Sequence, residues 1–261
     1  MMHYGIHLAA SGALTNLYKQ DVLANNLANV NTVGFKPDIV TIQSRDPARR
    51  EDNLGHLPSN ALIERLGGGL HPARNRIGLS QGPLETTHNP LDLAIEGDGF
   101  FMVEERGADG GSFLRLTRDG RFTLNNEGLL VMSTTGLPVL DDSGRQIELS
   151  TDAGVSIGGD GVITQLGESV ARLALTDVPD RGRLTKHRAG LLSAPNDAIS
   201  SRFDASGRIR QGHLEQSGVN EIATLMGVTG AGRAASGNLA VIGYHDRMMD
   251  QAINRLGRIN A

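Results

Sequence analysis

Cysteine and tryptophan are absent from this chain of 261 residues, and aromatic residues make up only 3% of it. The first absence excludes disulfides, thiolate nucleophiles and cysteine-ligated metal centres. The second leaves the core to aliphatic side chains and a few phenylalanines. Excess positive charge is missing too. A formal net charge of -4 and a pI near 6.1 supply none of the concentrated lysine and arginine that phosphate contacts require, which argues against a nucleic-acid partner. The short basic clusters, Arg49–Arg50 and Arg181 to Arg188, stand beside Glu51, Asp52, Asp177 and Asp180 and read as solvated surface. No apolar run approaches the roughly 20 residues that span a bilayer. The N-terminus also lacks a basic segment followed by an apolar core of secretory type, so a protein of this kind that leaves the cytoplasm is expected to use another route.

What the chain has in quantity is glycine, 34 residues of it, with hydrophobics at 39%. That composition describes a turn-rich protein with a modest core, here expected as a small β-rich centre with less compact arms. Catalytic patterns do not emerge. Neither a G-x-S-x-G elbow nor an H-E-x-x-H helix occurs, and calcium-loop spacing is missing. Asp98, Asp119, Asp142 and Asp160 sit beside or near glycines, where supplying turns explains them. His3 and His7 could share a helical face, but nothing nearby completes a metal site. Gly67, Gly68 and Gly69 are followed by no Lys-Ser or Lys-Thr and read as a joint. The expectation is therefore a non-enzyme with no catalytic, cofactor-binding or metal site and no small-molecule substrate.

The chain is organised around Val22 to Lys36, VLANNLANVNTVGFK. Leu23, Leu27 and Val30 recur at helical spacing, whereas Asn25, Asn26, Asn29 and Asn31 crowd the other positions. Asparagine competes with the backbone for hydrogen bonds, so such a helix needs neighbours that use the amides; Gly34 and Phe35 then supply a C-terminal stop. Upstream, Ile6, Ala10, Ala13, Leu17, Gln20, Ala24 and Leu27 trace a narrow seam of alternating three- and four-residue steps. Its small residues bury little, so stability must come from close-packed partners. The run Asn25-Asn26-Leu27-Ala28-Asn29, with Thr32, Gly34, Phe35 and Lys36, resembles the N-terminal signature of the bacterial flagellar rod and hook axial proteins.

After Pro37, Pro47 and Pro58 the periodicity is lost, and residues 37–79 read as an extended arm or linker. From Ser80 short apolar runs alternate with turn pairs such as Asp98-Gly99, Asp109-Gly110, Asp119-Gly120, Glu127-Gly128, Thr135-Gly136 and Ser143-Gly144. Phe100 to Val103, Phe113 to Leu116, Leu129 to Met132, Leu137 to Leu140 and Val170 to Leu175 are of strand length, which predicts an antiparallel sheet of hairpins over 80–194. Here the words QGPLETTHNPLDLAIEGDGFFMV (81–103) and LTRDGRFTLNNEGLLV (116–131) resemble the β-domain of the same family, which usually has glycine where His88 stands. Residues 195–219 read as a return loop, in which GHLEQSGVN (212–220) resembles the family's lead into its last helix. The final segment, 220–261, offers Ile222, Leu225, Val228, Gly232, Ala235, Leu239, Ile242, Met249, Ile253 and Leu256 at heptad-like spacing.

That last segment departs from the family pattern. Arg233, Asn238, Val241 and Ile242 match, but Gly232, Ala235 and Ser236 replace the usual glutamine, aromatic and glutamate. Gly227, Gly230, Gly232, Gly237 and Gly243 should each cost a helix about 1 kcal/mol relative to alanine. The same run, VTGAGRAASG (228–237), superficially resembles a dinucleotide-binding turn, but Ala234 and Ser236 stand where later glycines belong.

The resemblance implies an α+β protein in which the 1–36 and 220–261 helices pair as a coiled-coil-like α-layer, with an antiparallel β-rich domain between them in sequence. It implies a structural rod subunit in the basal body, proximal by the compactness of the Ile147 to Val155 segment. Such a subunit assembles helically with copies of itself and with other rod and hook proteins, and leaves through the flagellar export apparatus without a cleaved signal. The expected assembly interface comprises Leu17, Leu23, Asn25, Asn26, Leu27, Asn29, Val30, Gly34, Phe35, Leu225, Arg233, Asn238, Leu239, Ile242, Met249 and Ile253. Two other classes stay open at this point: a nucleotide-dependent oxidoreductase built on 228–237, and a β-rich surface adhesin.

Overall fold

The computed structural model describes residues 2–47, 50, 67–107 and 110–256. Pro58, Arg49, Glu51, Asp52 and Asp109, and the side chains of His3 and Leu256, lie outside the described set. The fold is α+β, with a helix toward each end and a β-rich centre. It divides into two compact units: Met1–Ala28, Asp38–Arg76 and Asn220–Ala261 form one, and Asn29–Pro37 with Ile77–Val219 the other.

The first unit is built on two long helices, Met2–Ala28 and Glu221–Leu256. They lie side by side and antiparallel, since Gly5 faces His245, Gly12 faces Asn238, and Leu23 faces Gly227. A Cβ added at Gly12 would stand 2.8 Å from Asn238 Nδ2, and one at Gly227 would stand 2.9 Å from Leu23 Cδ1. Ala9, Ala13, Ala231 and Ala235 are buried. Small residues thus let two backbones approach closely. The contact face runs through Gly5, Gly12, Gln20 and Leu23; of the predicted seam, Gln20 lies on it and Ala13 is buried, while the other contacts fall about one position away. Glycine fits where backbones approach, and a leucine there would hold them apart, so Leu14 and Leu17 are displaced outward, 66% and 41% exposed.

The helix Glu221–Leu256 runs unbroken through 228–237, which puts that run inside a helix instead of at a strand-to-helix turn and removes the dinucleotide-binding alternative. No described helix is long and apolar enough to cross a membrane. Within 37–79, Ile42–Ser44 pairs antiparallel with Leu70–Pro72. The Ser11 hydroxyl accepts from the Leu70 N–H (2.9 Å) and donates to the Leu70 carbonyl (2.5 Å), fastening this ladder to the first helix.

The second unit centres on a six-stranded sheet in the order Thr185–Lys186, Leu191–Ser193, Ser112–Thr117, Phe100–Arg106, Leu175–Asp177, Phe203–Asp204. Its central hairpin pairs Phe101 with Thr117 through Arg106 with Ser112. Side-chain alternation sends adjacent residues to opposite faces. Phe101 and Val103 enter a core with Leu93, Ile95, Phe122 and Leu130, whereas Phe100 joins Leu116, Val178 and Leu192. Phe101 and Phe122 meet edge to face at 5.1 Å, so the scarce aromatics concentrate in the centre. A three-stranded meander, Val155–Ile157, Val162–Gln165 and Glu168–Arg172, extends the unit. Leu137 to Leu140, predicted as a strand, makes only isolated bridges, because Pro138 has no N–H to continue a ladder. The return segment is partly ordered, with a helical turn at Asn196–Ser200 and strands Arg208–Gln211 and His213–Glu215 pairing with Leu93–Glu96 and Leu84–Thr86.

His88 has φ of 60°, the left-handed conformation that glycine adopts without strain. The turn therefore takes here a backbone conformation that suits glycine better than histidine. His88→Gly is expected to raise stability by about 1 kcal/mol, measured by urea denaturation. In the helix pair, Gly230 and Gly237 face open space while Gly12 and Gly227 do not. Gly230→Ala and Gly237→Ala should each stabilise the helix by about 1 kcal/mol. Gly12→Ala should lose that gain, because its Cβ must push the Asn238 amide aside; far-UV circular dichroism during denaturation distinguishes the two.

Candidate functional site

The signature around residue 26 acquires physical roles in the structure. Asn26, predicted to need a neighbour for its amide, is buried and grips the backbone of Asp38: Nδ2 donates to the Asp38 carbonyl (2.8 Å) and Oδ1 accepts its N–H (2.9 Å). Asn29 Oδ1 accepts from the Thr32 hydroxyl at 3.2 Å. The helix ends before Gly34, whose φ is 68°. A Cβ there would meet the Arg118 carbonyl carbon at 2.5 Å, so only glycine lets these two strands of chain touch. The Gly34 N–H donates to the Glu215 carbonyl (2.7 Å), and Phe35 is buried beside it.

Lys36 completes the anchor. Its ammonium donates to Glu215 Oε1 (2.6 Å) and to the Ser80 carbonyl (2.9 Å). The second carboxylate oxygen of Glu215 accepts from Arg118 Nη1 at 3.0 Å, while the Gly82 N–H donates to Oε1 at 2.8 Å. Arg118 Nη2 reaches the Gly97 carbonyl (2.8 Å), and its guanidinium lies over the Phe100 ring, 5.2 Å from the centroid. Burial pulls the Lys36 pKa below that of an ordinary lysine, outweighing the opposing charge of Glu215. Each of the four sequence words contributes: Lys36 from the first, Gly82 from the second, Arg118 from the third, Glu215 from the last. Sequence reading did not single out Arg118 or Glu215. Glu215 stands as the lone charge of its word, whereas Arg118 is one of several in its own, and pairing across such separations cannot be read from one chain.

The residues expected at the assembly interface fall into three groups. Asn26, Gly34 and Phe35 are buried in the anchor region, each within its own unit. Leu23 and Asn238 meet glycines of the opposite helix. Leu17, Asn25, Leu225, Arg233, Leu239 and Ile253 are exposed, and Leu27, Asn29, Val30, Ile242 and Met249 are half-buried. With Leu14, Ile222, Met226, Val241, Tyr244 and Met248 also exposed, the helix pair presents an extensive apolar outer face. Large exposed apolar patches mark interaction sites in soluble proteins. The chain thus combines a close-packed helix pair carrying exposed apolar side chains with a β-domain fastened by a buried ion network.

Residues 6–36 match the family described as Flagella basal body rod protein, and residues 94–165 match the Flagellar hook protein FlgE/F/G D1 domain. The chain is 35% identical to the flagellar basal-body rod protein FlgF of Caulobacter vibrioides, over 99% of this chain and 100% of that one. It is 30% identical to FlgF of Rhizobium meliloti (98% and 99% covered) and 31% identical to FlgG of Bacillus subtilis (95% and 97%). The chain belongs to the family of flagellar basal-body rod proteins, which are structural proteins and not enzymes.

Replacing Glu215 by alanine leaves Lys36 and Arg118 buried without their shared carboxylate. Removing one partner of a buried ion pair typically costs about 3–5 kcal/mol. Glu215→Ala should therefore lower the unfolding free energy read from urea denaturation by an amount of that order, whereas truncating Arg210 of the exposed Arg210–Glu96 pair should leave it nearly unchanged.

Proposed function

We propose that this chain is a structural subunit of the bacterial flagellar basal-body rod, assembling helically through its paired N- and C-terminal helices. The uncovered apolar face of that helix pair carries the reading. Burying it between neighbours would yield the hydrophobic stabilisation that one molecule forgoes, and a contact between unlike faces that does not close into a ring propagates as a filament. In this reading the pair packs in coiled-coil fashion. Segments 1–36 and 220–261 act as the axial helices, 37–79 as the linker, 80–194 as the β-domain and 195–219 as the return. Partners are copies of the same chain and other rod and hook proteins, with delivery by the flagellar export apparatus.

A proximal position in the rod is part of the proposal. It is supported by the compact Ile147 to Val155 segment, which Gln165 clips by accepting from the Ser150 N–H and donating to the Ser150 carbonyl, both at 2.9 Å. The direct test is purification of basal bodies from cells stalled before the distal rod forms. The protein should be present in them, and its absence from both stalled and complete basal bodies would overturn the rod assignment.

The interface itself is tested by Ile222→Asp with Met226→Asp. Both side chains are mostly exposed, at 73% and 69%, so the free protein should keep its circular dichroism and melting curve. In an assembled rod the unpaired carboxylates would be desolvated at a cost of several kcal/mol. Cells carrying the variant should lose motility, and basal-body fractions should lack the protein. Normal incorporation would count against this face.

A further inference from the structure

Two stripes on the outside of the helix pair share one spacing. On Met2–Ala28 the stripe is Ala10, Leu14, Leu17, Asp21, Ala24 and Ala28; on Glu221–Leu256, read backwards, it is Tyr244, Ala240, Gly237, Arg233, Gly230 and Met226. Both advance in steps of four, three, four, three and four residues, the rhythm of a seam between helices. At about 3.6 residues per turn, each stripe lies on the side of its helix away from the contact within the molecule at Gly12, Leu23 and Gly227. All of these stripe residues are exposed except Ala10, which is half-buried.

Laid antiparallel, the stripes complement each other in size and in charge. Leu17 meets Gly237 and Leu14 meets Ala240, while Ala10 and Ala28 meet Tyr244 and Met226, so that bulk faces a gap. Ala24 and Gly230, both small, mark the closest approach. Gly230 and Gly237 have nothing within 4 Å of an added Cβ in the single molecule, which is the opening such a contact fills. The remaining step sets Asp21 against Arg233. Asp21 is the one acidic residue of its helix, and Arg233 is the one charged residue from Ile222 to Tyr244. Neither side chain has an ion pair or hydrogen bond among the described residues, and the two face opposite ways in one molecule.

We propose that the stripes are the two halves of one contact between copies: the first helix of each copy docks antiparallel on the last helix of a second copy of this chain, with Asp21 paired to Arg233. This specifies the interface of the rod subunit proposed above and rests on that reading. The contact joins unlike faces on opposite sides of the helix pair, so every row of copies keeps a free stripe at each end and does not stop at a dimer. The charge pair fixes register and direction, because a slip along the seam strands both charges against apolar neighbours.

The test uses the full chain in basal bodies. Because the chain has no cysteine, Leu17→Cys with Gly237→Cys supplies the only thiols. Oxidation with copper phenanthroline should link the double variant into dimers and higher multimers, while either single variant stays monomeric. Double variant present in the basal bodies without multimers, or a single variant that crosslinks as well as the double, would overturn the contact and leave the rod assignment standing. Absence of the unmodified protein from basal bodies would overturn both. A second measurement needs no thiol. Asp21→Arg and Arg233→Asp each set like charges face to face and should lower incorporation about tenfold, and the two exchanges together should restore it. Single variants that incorporate normally, or a double exchange no better than the singles, would overturn the pairing.

Discussion

The buried carboxylate of Glu215 is the interaction on which the β-domain's organisation depends. It gathers the Lys36 ammonium, the Arg118 guanidinium and the Gly82 N–H, while its own backbone carbonyl takes the N–H of Gly34. A buried ion network is weak evidence for net stability, because desolvation offsets much of the Coulomb gain. Its consequence is specificity: any alternative path for these four segments strands a charge in the interior. The close approach at Gly34 has the same effect by steric means, since no other residue permits that contact.

The two units solve the problem of a modest core in different ways. In the β-domain the few aromatics cluster where the central hairpin is buried on both faces, and Phe101 against Phe122 fills volume that aliphatic side chains alone would leave loose. In the helix unit, closeness of approach replaces bulk. Glycine and alanine occupy the contact between helices and leave the larger apolar residues, Ile222, Met226 and Leu14 among them, on the outside. Apolar area left outside in this way does not stabilise the helix pair itself and is surface that a partner could bury.

The glycines of the C-terminal helix show how composition misleads without packing. Counted by propensity they predict a weak helix. Placed in space they divide into Gly227 and Gly232, which receive Leu23 and Gln20, and Gly230 and Gly237, which touch nothing. Only the first pair has a structural reason in this chain. His88 teaches the converse, for a histidine holds a left-handed backbone conformation that glycine would adopt without strain.

By itself the sequence determined the class of protein, the two helical ends, the hairpins punctuated by glycine and the absence of cysteine chemistry. These follow from local rules: turn residues, strand-length apolar runs and the Asn-rich signature act within a few residues of themselves. It also marked Asn26 and Gly34 as special, though not why. Tertiary structure alone decided which face of each helix is inside, because that depends on how closely two backbones approach and not on which side chains are most apolar. It alone brought Lys36, Gly82, Arg118 and Glu215 together, since a charge pair separated by most of the chain leaves no periodic trace. It alone showed that Pro138 interrupts a predicted strand, where a missing donor outweighed a favourable apolar run.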